Sequence, residues 1–237
     1  MAELKAVFFD VNGTLWDGNA CAVHVMEIVL PKFRPPLPEE DTAEVIRRYN
    51  AVFLDQPTRR HVREGRPFSR LKRFEALLDS YGVKRRGLAQ EMSRTYDSVR
   101  RMCMRQFLRA DVHPVLDELS RLGLQRGVVM NGSPAVQRHM LECLGLERRF
   151  DHVVLGDVEG YCKPDARLFR RALELAGVGA DEMLYVGDSP LTDVLGAARA
   201  GLRTAWFQEG RRRLPQGFPP PDFTVGGLSE VLDIVAS

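Results

Sequence analysis

The sequence has few cysteines, and none of them forms a recognisable pattern. The four cysteines among 237 residues stand at positions 21, 103, 143 and 162, outside any CxxC or Cys/His arrangement. This scatter is typical of reduced intracellular thiols and excludes a disulfide framework or a zinc site as the basis of the fold. The first apolar run ends at Asp10 and is too short for a signal peptide. We therefore expect a cytoplasmic protein.

Long hydrophobic runs and a strong net charge are also absent. No segment approaches the ~18 uninterrupted apolar residues of a membrane-spanning helix, so we expect no membrane partner. The formal net charge of +2 gives no reason to expect a nucleic acid partner. The charge is uneven, because positions 17–108 hold 18 Lys and Arg against 12 Asp and Glu. This basic surplus indicates either a solvated helical surface or a face for a small anionic substrate.

The periodicity of apolar residues divides the chain into two parts. A short apolar stretch at 4–9 predicts a buried parallel strand. Positions 17–108 predict only helices, at 21–30, 42–54, 69–81 and 88–108, with breaks at 34–38 and 65–67. The remainder alternates strands at 125–130, 152–155, 183–186, 203–207 and 223–225 with helices at 112–122, 133–144, 166–176, 192–200 and 229–235, and Asp111 is a plausible N-cap. This predicts an α/β fold: a doubly wound, Rossmann-like parallel sheet from 1–16 and 109–237, with an all-helical insert at 17–108.

Ligands of such sheets bind outside the carboxyl ends of the strands. The polar residues at four predicted strand ends are Asp10, Asn12, Gly13 and Thr14, then Asn131 and Gly132, then Lys163, and finally Asp188 and Asp193. Each group alone is explained by turn or cap chemistry. All four together, in this order, indicate one site.

The residue types in this set suit transfer of a phosphoryl or similar group. Asp10 can attack phosphorus or an activated carbon and form an ester, which divides one displacement into two steps. Asp188 and Asp193 can hold a hard cation such as Mg²⁺ together with Asp10. Lys163 brings a compact positive charge to nucleophile and phosphoryl oxygen. Backbone N–H groups around Gly13 and Gly132 can cradle oxyanions.

At these positions the sequence resembles the haloacid dehalogenase superfamily of hydrolases, in the branch with a helical cap inserted after the first strand. Further likeness lies in Asn131-Gly-Ser-Pro134, Gly145-Leu146 and Lys163-Pro-Asp165. The resemblance covers the whole chain and implies a cap at 17–108 that closes over the site.

The resemblance also implies roles for individual residues. Asp10 would be the nucleophile and a direct Mg²⁺ ligand, with Asp188 and the backbone carbonyl of Asn12 as further ligands. Asp193 would act through water or by orienting other ligands. We expect a helper hydrogen bond from Thr14 to Asp10, and substrate contacts from the loops after the first two strands.

Two residues depart from the family pattern. The phosphatase branch usually carries an aspartate at position 12 that protonates the leaving group and then activates water, and an amide cannot transfer that proton. Such steps are typically worth about 10²–10⁴ in rate. Met130 stands where the family has Ser or Thr, and a thioether cannot donate a hydrogen bond. Asn131 is the nearest donor that could substitute for that hydroxyl.

Three functions follow from these observations. The leading one is a Mg²⁺-dependent phosphatase of a small phosphorylated metabolite, with turnover limited by Asn12. The second is a metal-independent 2-haloacid dehalogenase, in which Arg34 or Arg47 would hold the substrate carboxylate. The third is a non-catalytic binding protein on the same scaffold.

Overall fold

A computed structural model describes residues 2–33, 42–51, 70–210 and 213–237. The chain divides into two compact units, one formed by Met1–Asp17 and Leu108–Ser237 and the other by Gly18–Phe107. The predicted breaks at 34–38 and 65–67, the ends of two predicted helices at 52–54 and 69, and positions 211–212 lie outside the described residues. Within the described ranges, no helix is both long and apolar enough to cross a membrane.

The second unit contains helices α1 (Gly18–Val29), α2 (Thr42–Ala51), α3 (Arg70–Ser80) and α4 (Leu88–Cys103), with 3₁₀ turns at Leu30–Phe33 and Met104–Phe107. Its helices pack through aromatic rings. The ring of Phe74 lies 4.9 Å from that of Tyr49 and 6.0 Å from that of Tyr96, between ring centroids. One residue each from α2, α3 and α4 therefore forms a shared apolar core.

The first unit is built on a six-stranded parallel sheet. Its strands are β1 (Ala6–Phe9), β2 (Gln125–Met130), β3 (His152–Leu155), β4 (Met183–Gly187), β5 (Arg203–Phe207) and β6 (Phe223–Val225), in the spatial order β3-β2-β1-β4-β5-β6. This topology confirms the predicted doubly wound α/β sheet. β1 lies at the centre, where Phe9 is paired with Val128 on one side and Val186 on the other. Residues that follow β1, β2 and β4 therefore meet at one edge.

In the described residues of this unit, the sheet is accompanied by helices α5 (Val112–Arg121), α6 (Pro134–Leu144), α7 (Gly156–Glu159), α8 (Ala166–Ala176), α9 (Leu195–Arg199) and α10 (Glu230–Val235). The core beneath α8 is closely packed. Phe169 meets Tyr185 edge to face with centroids 5.0 Å apart. A Cβ added to Gly127 would lie 2.2 Å from the ring of Phe8, so the absence of a side chain at Gly127 makes room for that ring.

Three helix predictions need correction. The helix predicted at 192–200 starts earlier, with a π-helical turn at Pro190–Val194. The Ser189 hydroxyl caps this earlier start by accepting from Thr192 N–H at 3.2 Å. The helix predicted at 88–108 changes to 3₁₀ geometry after Cys103. Asp111 precedes α5 but makes no cap hydrogen bond, because its Oδ2 accepts the N–H groups of Leu228 and Ser229 before α10.

Candidate active site

Asp10 is the first residue after the central strand. Its backbone N–H donates to the carbonyl of Val186 on β4 at 2.9 Å, so the strand pairing fixes where its side chain begins. The carboxylate is 14% exposed, while the four residues of β1 before it are fully buried. Asp10 therefore places one accessible acid group at the edge where β1 and β4 end.

Lys163 connects Asp10 to a second carboxylate. Its Nζ lies 2.6 Å from Oδ1 of Asp10 and 2.7 Å from Oδ1 of Asp193, and it donates to the Tyr185 hydroxyl at 3.1 Å. The Tyr185 hydroxyl in turn donates to Asp193 at 3.2 Å. Because the Lys163 and Asp193 side chains are only 4% and 2% exposed, water screens these interactions poorly.

The pKa values of Asp10, Lys163 and Tyr185 are all raised in this network, but for different reasons. Burial raises the pKa of Asp10 to about 7, with Lys163 opposing the rise and Asp193 and Asp188 adding to it. Burial alone would lower the pKa of Lys163, but the charges of Asp10 and Asp193 outweigh it and hold that pKa well above its usual value. Burial also raises the pKa of Tyr185 well above its usual value. Lys163 therefore stays protonated at neutral pH. The pKa of Asp10 lies close to neutral pH as long as no further cation binds beside it.

Asn131 holds the backbone of Lys163. Its Oδ1 accepts the Lys163 N–H at 2.7 Å and its Nδ2 donates to the Lys163 carbonyl at 3.1 Å. Asn131 follows β2, so this reciprocal pair links the end of β2 to the segment that carries the lysine. The contacts are those of a residue that positions Lys163, and the predicted contact of Asn131 with substrate stays a prediction.

Asp188 lies against the loop that follows β1. Gly13 has a φ of +99°, and a Cβ added there would lie 2.6 Å from the Asp188 carboxylate, so glycine is required on both counts. The indole Nε1 of Trp206 donates to the Asp188 carbonyl at 3.0 Å and fixes its backbone. Oxygen atoms of Asp10, Asp188 and Asp193 all lie within 4.8 Å of one another, so the three carboxylates can hold a metal ion.

The loop Val11–Trp16 satisfies its carbonyl groups unevenly. The Val11 carbonyl accepts from Leu15 N–H and Trp16 N–H, and the Trp16 carbonyl accepts from Gly13 N–H. Arg109 donates to the three carbonyls of positions 13, 14 and 15. Among the hydrogen bonds of the described residues, the Asn12 carbonyl accepts none, although an unpaired backbone carbonyl is uncommon. The Asn12 side chain is exposed.

The expected hydrogen bond from Thr14 to Asp10 is wrong. Thr14 is fully buried, and its Oγ1 has no hydrogen-bond partner among the residues that the structure describes. Its carbonyl, by contrast, accepts from Arg109 Nε at 2.7 Å. The loop therefore uses the backbone of Thr14, and turns its side chain into the interior of the unit.

Apart from Asn131, the residues at the end of β2 contribute few side-chain hydrogen-bond donors to the site. Met130 is 3% exposed and supplies no donor where the family carries a hydroxyl. Gly132 has a φ of +109°, and a Cβ there would lie 2.7 Å from Nε2 of Gln137, which donates to the Asn131 carbonyl at 2.9 Å. This conformation suits the predicted anion cradle at Gly132, which stays a prediction, as does the one at Gly13.

Three residues at this site escape the sequence patterns. Tyr185 had one available signal, since a tyrosine in an otherwise apolar buried strand needs a partner for its hydroxyl. Trp206 pairs with Gly187 across β4 and β5, which could have placed it beside Asp188 once the strand order was known. Arg109 gave no signal, because its partners are backbone carbonyls almost a hundred positions away.

A model of haloacid dehalogenase-like hydrolases matches residues 4–201. The chain is 38% identical over 166 residues to a phosphoserine phosphatase of Thermus thermophilus, a match that covers 70% of this chain and 64% of that protein, which is less than two thirds of the relative's length. It is 27% identical to an N-acylneuraminate-9-phosphatase of Mus musculus, over 100% of this chain and 96% of the other.

A solved structure extends the similarity. A 2-haloacid dehalogenase from Pseudomonas syringae pv. Tomato matches with a TM-score of 0.65 and 27% identity, over 98% of both chains. The family match, the parallel sheet and the Asp10–Lys163 pair agree, and the chain belongs to the haloacid dehalogenase-like hydrolases.

Proposed function

We propose that this chain is a Mg²⁺-dependent phosphatase that passes the phosphoryl group of a small phosphorylated metabolite first to Asp10 and then to water. The observation that carries the proposal is the cluster of Asp10, Asp188 and Asp193, in which Lys163 bonds the first and the last. Two relatives named as phosphatases of small phosphorylated compounds support it.

The donor set suits a hard cation. Asp10, Asp188 and the Asn12 carbonyl would hold Mg²⁺, and Asp193 would orient the site through Lys163 and through its bond to Ser189 N–H at 3.0 Å. Carboxylate and carbonyl oxygens are the ligands that Mg²⁺ prefers. When bound, Mg²⁺ would reduce the repulsion between Asp10 and the incoming phosphate and stabilise charge on the transferred group.

In the first half-reaction an Asp10 oxygen attacks phosphorus. The new bond between oxygen and phosphorus forms while the bond to the leaving oxygen breaks, and the electron pair departs with that oxygen. Lys163 holds Oδ1 of Asp10 at 2.6 Å and brings its charge to the phosphoryl oxygens. The leaving oxygen must take its proton from solvent or from the substrate, because the Asn12 amide cannot supply one.

In the second half-reaction water attacks the phosphorus of the aspartyl phosphate, and the bond to Asp10 breaks. The attacking water must lose a proton, and Asn12 cannot accept it. We therefore expect the phosphorylated form of Asp10 to accumulate when the leaving group is good, since formation is then faster than hydrolysis.

The experiment measures phosphate release from p-nitrophenyl phosphate with MgCl₂ and with chelator, for the wild type, Asn12→Asp and Asp10→Asn. The proposal expects turnover that requires Mg²⁺, faster turnover in Asn12→Asp, and none in Asp10→Asn. Acid-quenched wild type should carry the mass of one phosphoryl group. Absence of metal-dependent turnover in both the wild type and Asn12→Asp would overturn it. Metal binding without turnover in either would instead indicate a binding protein.

The helical unit is part of the same proposal, as the cap that selects the substrate. Positions 17–108 carry a surplus of six positive charges, which suits an anionic substrate. Replacement of this unit by that of a relative should change substrate preference without changing the requirement for Asp10. Loss of Asp10 dependence in such a chimera would count against a shared mechanism.

A second candidate is a metal-independent 2-haloacid dehalogenase, favoured by Asn12 and by the similarity to the Pseudomonas syringae enzyme. Of its two expected carboxylate-binding residues, Arg34 lies outside the described residues, and Arg47 is exposed and pairs with Glu44 at 2.7 Å. The acidic pair Asp188 and Asp193 suits a metal site better. Halide release from 2-chloropropionate in chelator would decide for the dehalogenase.

A further inference from the structure

Arg109 donates hydrogen bonds to three successive carbonyl groups of the loop after β1. Its Nε donates to the Thr14 carbonyl at 2.7 Å and its Nη2 to the Gly13 carbonyl at 3.2 Å. Its own backbone N–H donates to the Leu15 carbonyl at 3.1 Å. Two of these bonds come from a permanent cation, and charge-assisted bonds are stronger than neutral ones.

The guanidinium is itself anchored at the end of another strand. Its Nη1 pairs with Glu209, and its central carbon lies 4.6 Å from the ring centroid of Phe207, the last residue of β5. The Arg109 side chain is 14% exposed, whereas that of Glu209 is 52% exposed. An arginine bound on several sides and largely buried holds its geometry at little further entropic cost.

The consequence falls on Asn12. Arg109 bonds the carbonyls of positions 13, 14 and 15, and the carbonyls of positions 11 and 16 are bonded within the loop. Between Val11 and Trp16, only the Asn12 carbonyl accepts no hydrogen bond from the described residues. The same loop lies against the Asp188 carboxylate at Gly13. The bonds of Arg109 thus hold the loop on the C-terminal side of the Asn12 carbonyl, in the same loop that contacts a candidate metal-binding carboxylate.

We propose that Arg109 is a positioning residue for the metal site, because it fixes the loop so that the Asn12 carbonyl stays available as a ligand. This inference rests on the proposed function, since it takes the metal site as given. It adds a residue that touches neither metal nor substrate. Loss of groups that orient metal ligands typically costs about 10–100-fold in metal affinity or activity.

The test measures Mn²⁺ affinity of the protein alone, by titration with electron paramagnetic resonance detection of free Mn²⁺. Arg109→Gln should weaken Mn²⁺ binding by about tenfold or more. Arg109→Lys keeps the charge and the backbone bond to Leu15, but a lysine cannot reach the Gly13 and Thr14 carbonyls and Glu209 together, so this variant should bind Mn²⁺ several-fold more weakly. Glu209→Gln keeps the carbonyl bonds and should have a smaller effect than either.

Arg126 offers a matched control at the opposite end of the sheet. Its side chain is 17% exposed, pairs with Asp151 at 3.1 Å and donates to the Leu116 carbonyl at 3.4 Å. Arg126→Gln should therefore lower thermal stability much as Arg109→Gln does, yet leave Mn²⁺ affinity unchanged. Should Arg109→Gln fail to fold, the comparison of Arg109→Lys with Arg126→Lys decides the question.

Two results would overturn the inference: wild-type Mn²⁺ affinity in the Arg109 variants, or equal weakening in the Arg109 and Arg126 variants. Both leave the proposed function intact. Absence of Mn²⁺ binding by the wild type would instead remove the metal site and the proposed function with it. In the enzyme with Mg²⁺, the half-saturating Mg²⁺ concentration should rise in Arg109→Lys, while kcat at saturating Mg²⁺ should change less.

Discussion

Lys163 Nζ lies 2.6 Å from Asp10 Oδ1, although the two residues are 153 positions apart in the chain. The pair joins the end of β1 to the segment after β3. The lysine also binds Asp193 at 2.7 Å, so one buried cation serves two carboxylates. Lys163 therefore offsets the repulsion that the Asp10 and Asp193 carboxylates would otherwise exert on each other in a poorly hydrated space.

Removal of the lysine charge should therefore damage both stability and activity. We expect Lys163→Met to lose at least a hundredfold in turnover and to lower the free energy of unfolding by about 3–5 kcal/mol at pH 8, the usual cost of breaking a buried pair. Phosphate release and chemical denaturation measure the two effects. Lys5→Met is the control, since Lys5 pairs with Glu182 but its side chain is 58% exposed. Equal losses of stability and turnover in Lys163→Met and Lys5→Met would contradict the special role given to Lys163.

Restoration of an acid at position 12 should speed the reaction according to the leaving group. Asn12 is exposed, so an aspartate there buries no charge. Asn12→Asp should gain about 10²–10⁴ with an alkyl phosphate, whose alcohol needs a proton as it leaves, and much less in the first half-reaction with an aryl phosphate. Pre-steady-state kinetics on both substrates separate the steps. Asn19→Asp, the same change at an exposed position of α1, should gain nothing.

Equal gains on alkyl and aryl phosphates in the first half-reaction would mean that Asp at position 12 acts by its charge and not by proton transfer. No gain on either substrate would mean that the missing acid does not limit this chain. These outcomes are distinguishable because the phosphorylated protein can be quantified after acid quench.

The parts of the fold that follow from local pattern were predictable. The β1 strand, the strand–helix alternation and the polar strand ends could be read from apolar runs and turn residues, since each depends on neighbours in sequence. The contacts made by Arg109, Tyr185 and Trp206 could not. They depend on which strand ends become adjacent. The bonds of Arg109 and Trp206 also go to backbone carbonyls, which every residue has, so the sequence does not mark these acceptors. The side-chain direction of Thr14 failed for a related reason, because loop geometry and not residue type sets it.

Thr14 should be replaceable by valine. Its hydroxyl is fully buried and has no hydrogen-bond partner within the described part of the chain, a condition that costs about 1–3 kcal/mol. Thr14→Val keeps the shape and removes the unpaired group, so we expect a stability gain of about 1 kcal/mol and little change in Mg²⁺-dependent turnover. Thermal denaturation and phosphate release test this. Thr204→Val is the contrasting change, because the Thr204 hydroxyl donates to Asp222 at 2.9 Å, and its loss should lower the thermal stability. A large loss of turnover in Thr14→Val would show that the hydroxyl is used during the reaction.

The acidity of Asp10 should appear as a pH dependence of stability in the metal-free protein. Burial raises the pKa of Asp10 to about 7, above its value in the unfolded chain. A raised pKa stabilises the fold below the unfolded pKa of about 4, and that contribution is lost as pH rises towards 7. Asp10→Asn removes the titration and keeps a similar shape. As the pH rises from 4 to 8 in chelator, the free energy of unfolding of Asp10→Asn should therefore increase by a few kcal/mol relative to that of the wild type. A tenfold change in acidity is worth about 1.4 kcal/mol.

Chemical denaturation across that pH range measures the difference between the two proteins. Asp157→Asn, a change at an exposed aspartate of α7, should give a profile parallel to that of wild type. A parallel profile for Asp10→Asn as well would mean that Asp10 is already ionised at low pH in the folded state. Addition of MgCl₂ should flatten the wild-type profile, because a cation beside Asp10 favours its charged form and lowers its pKa.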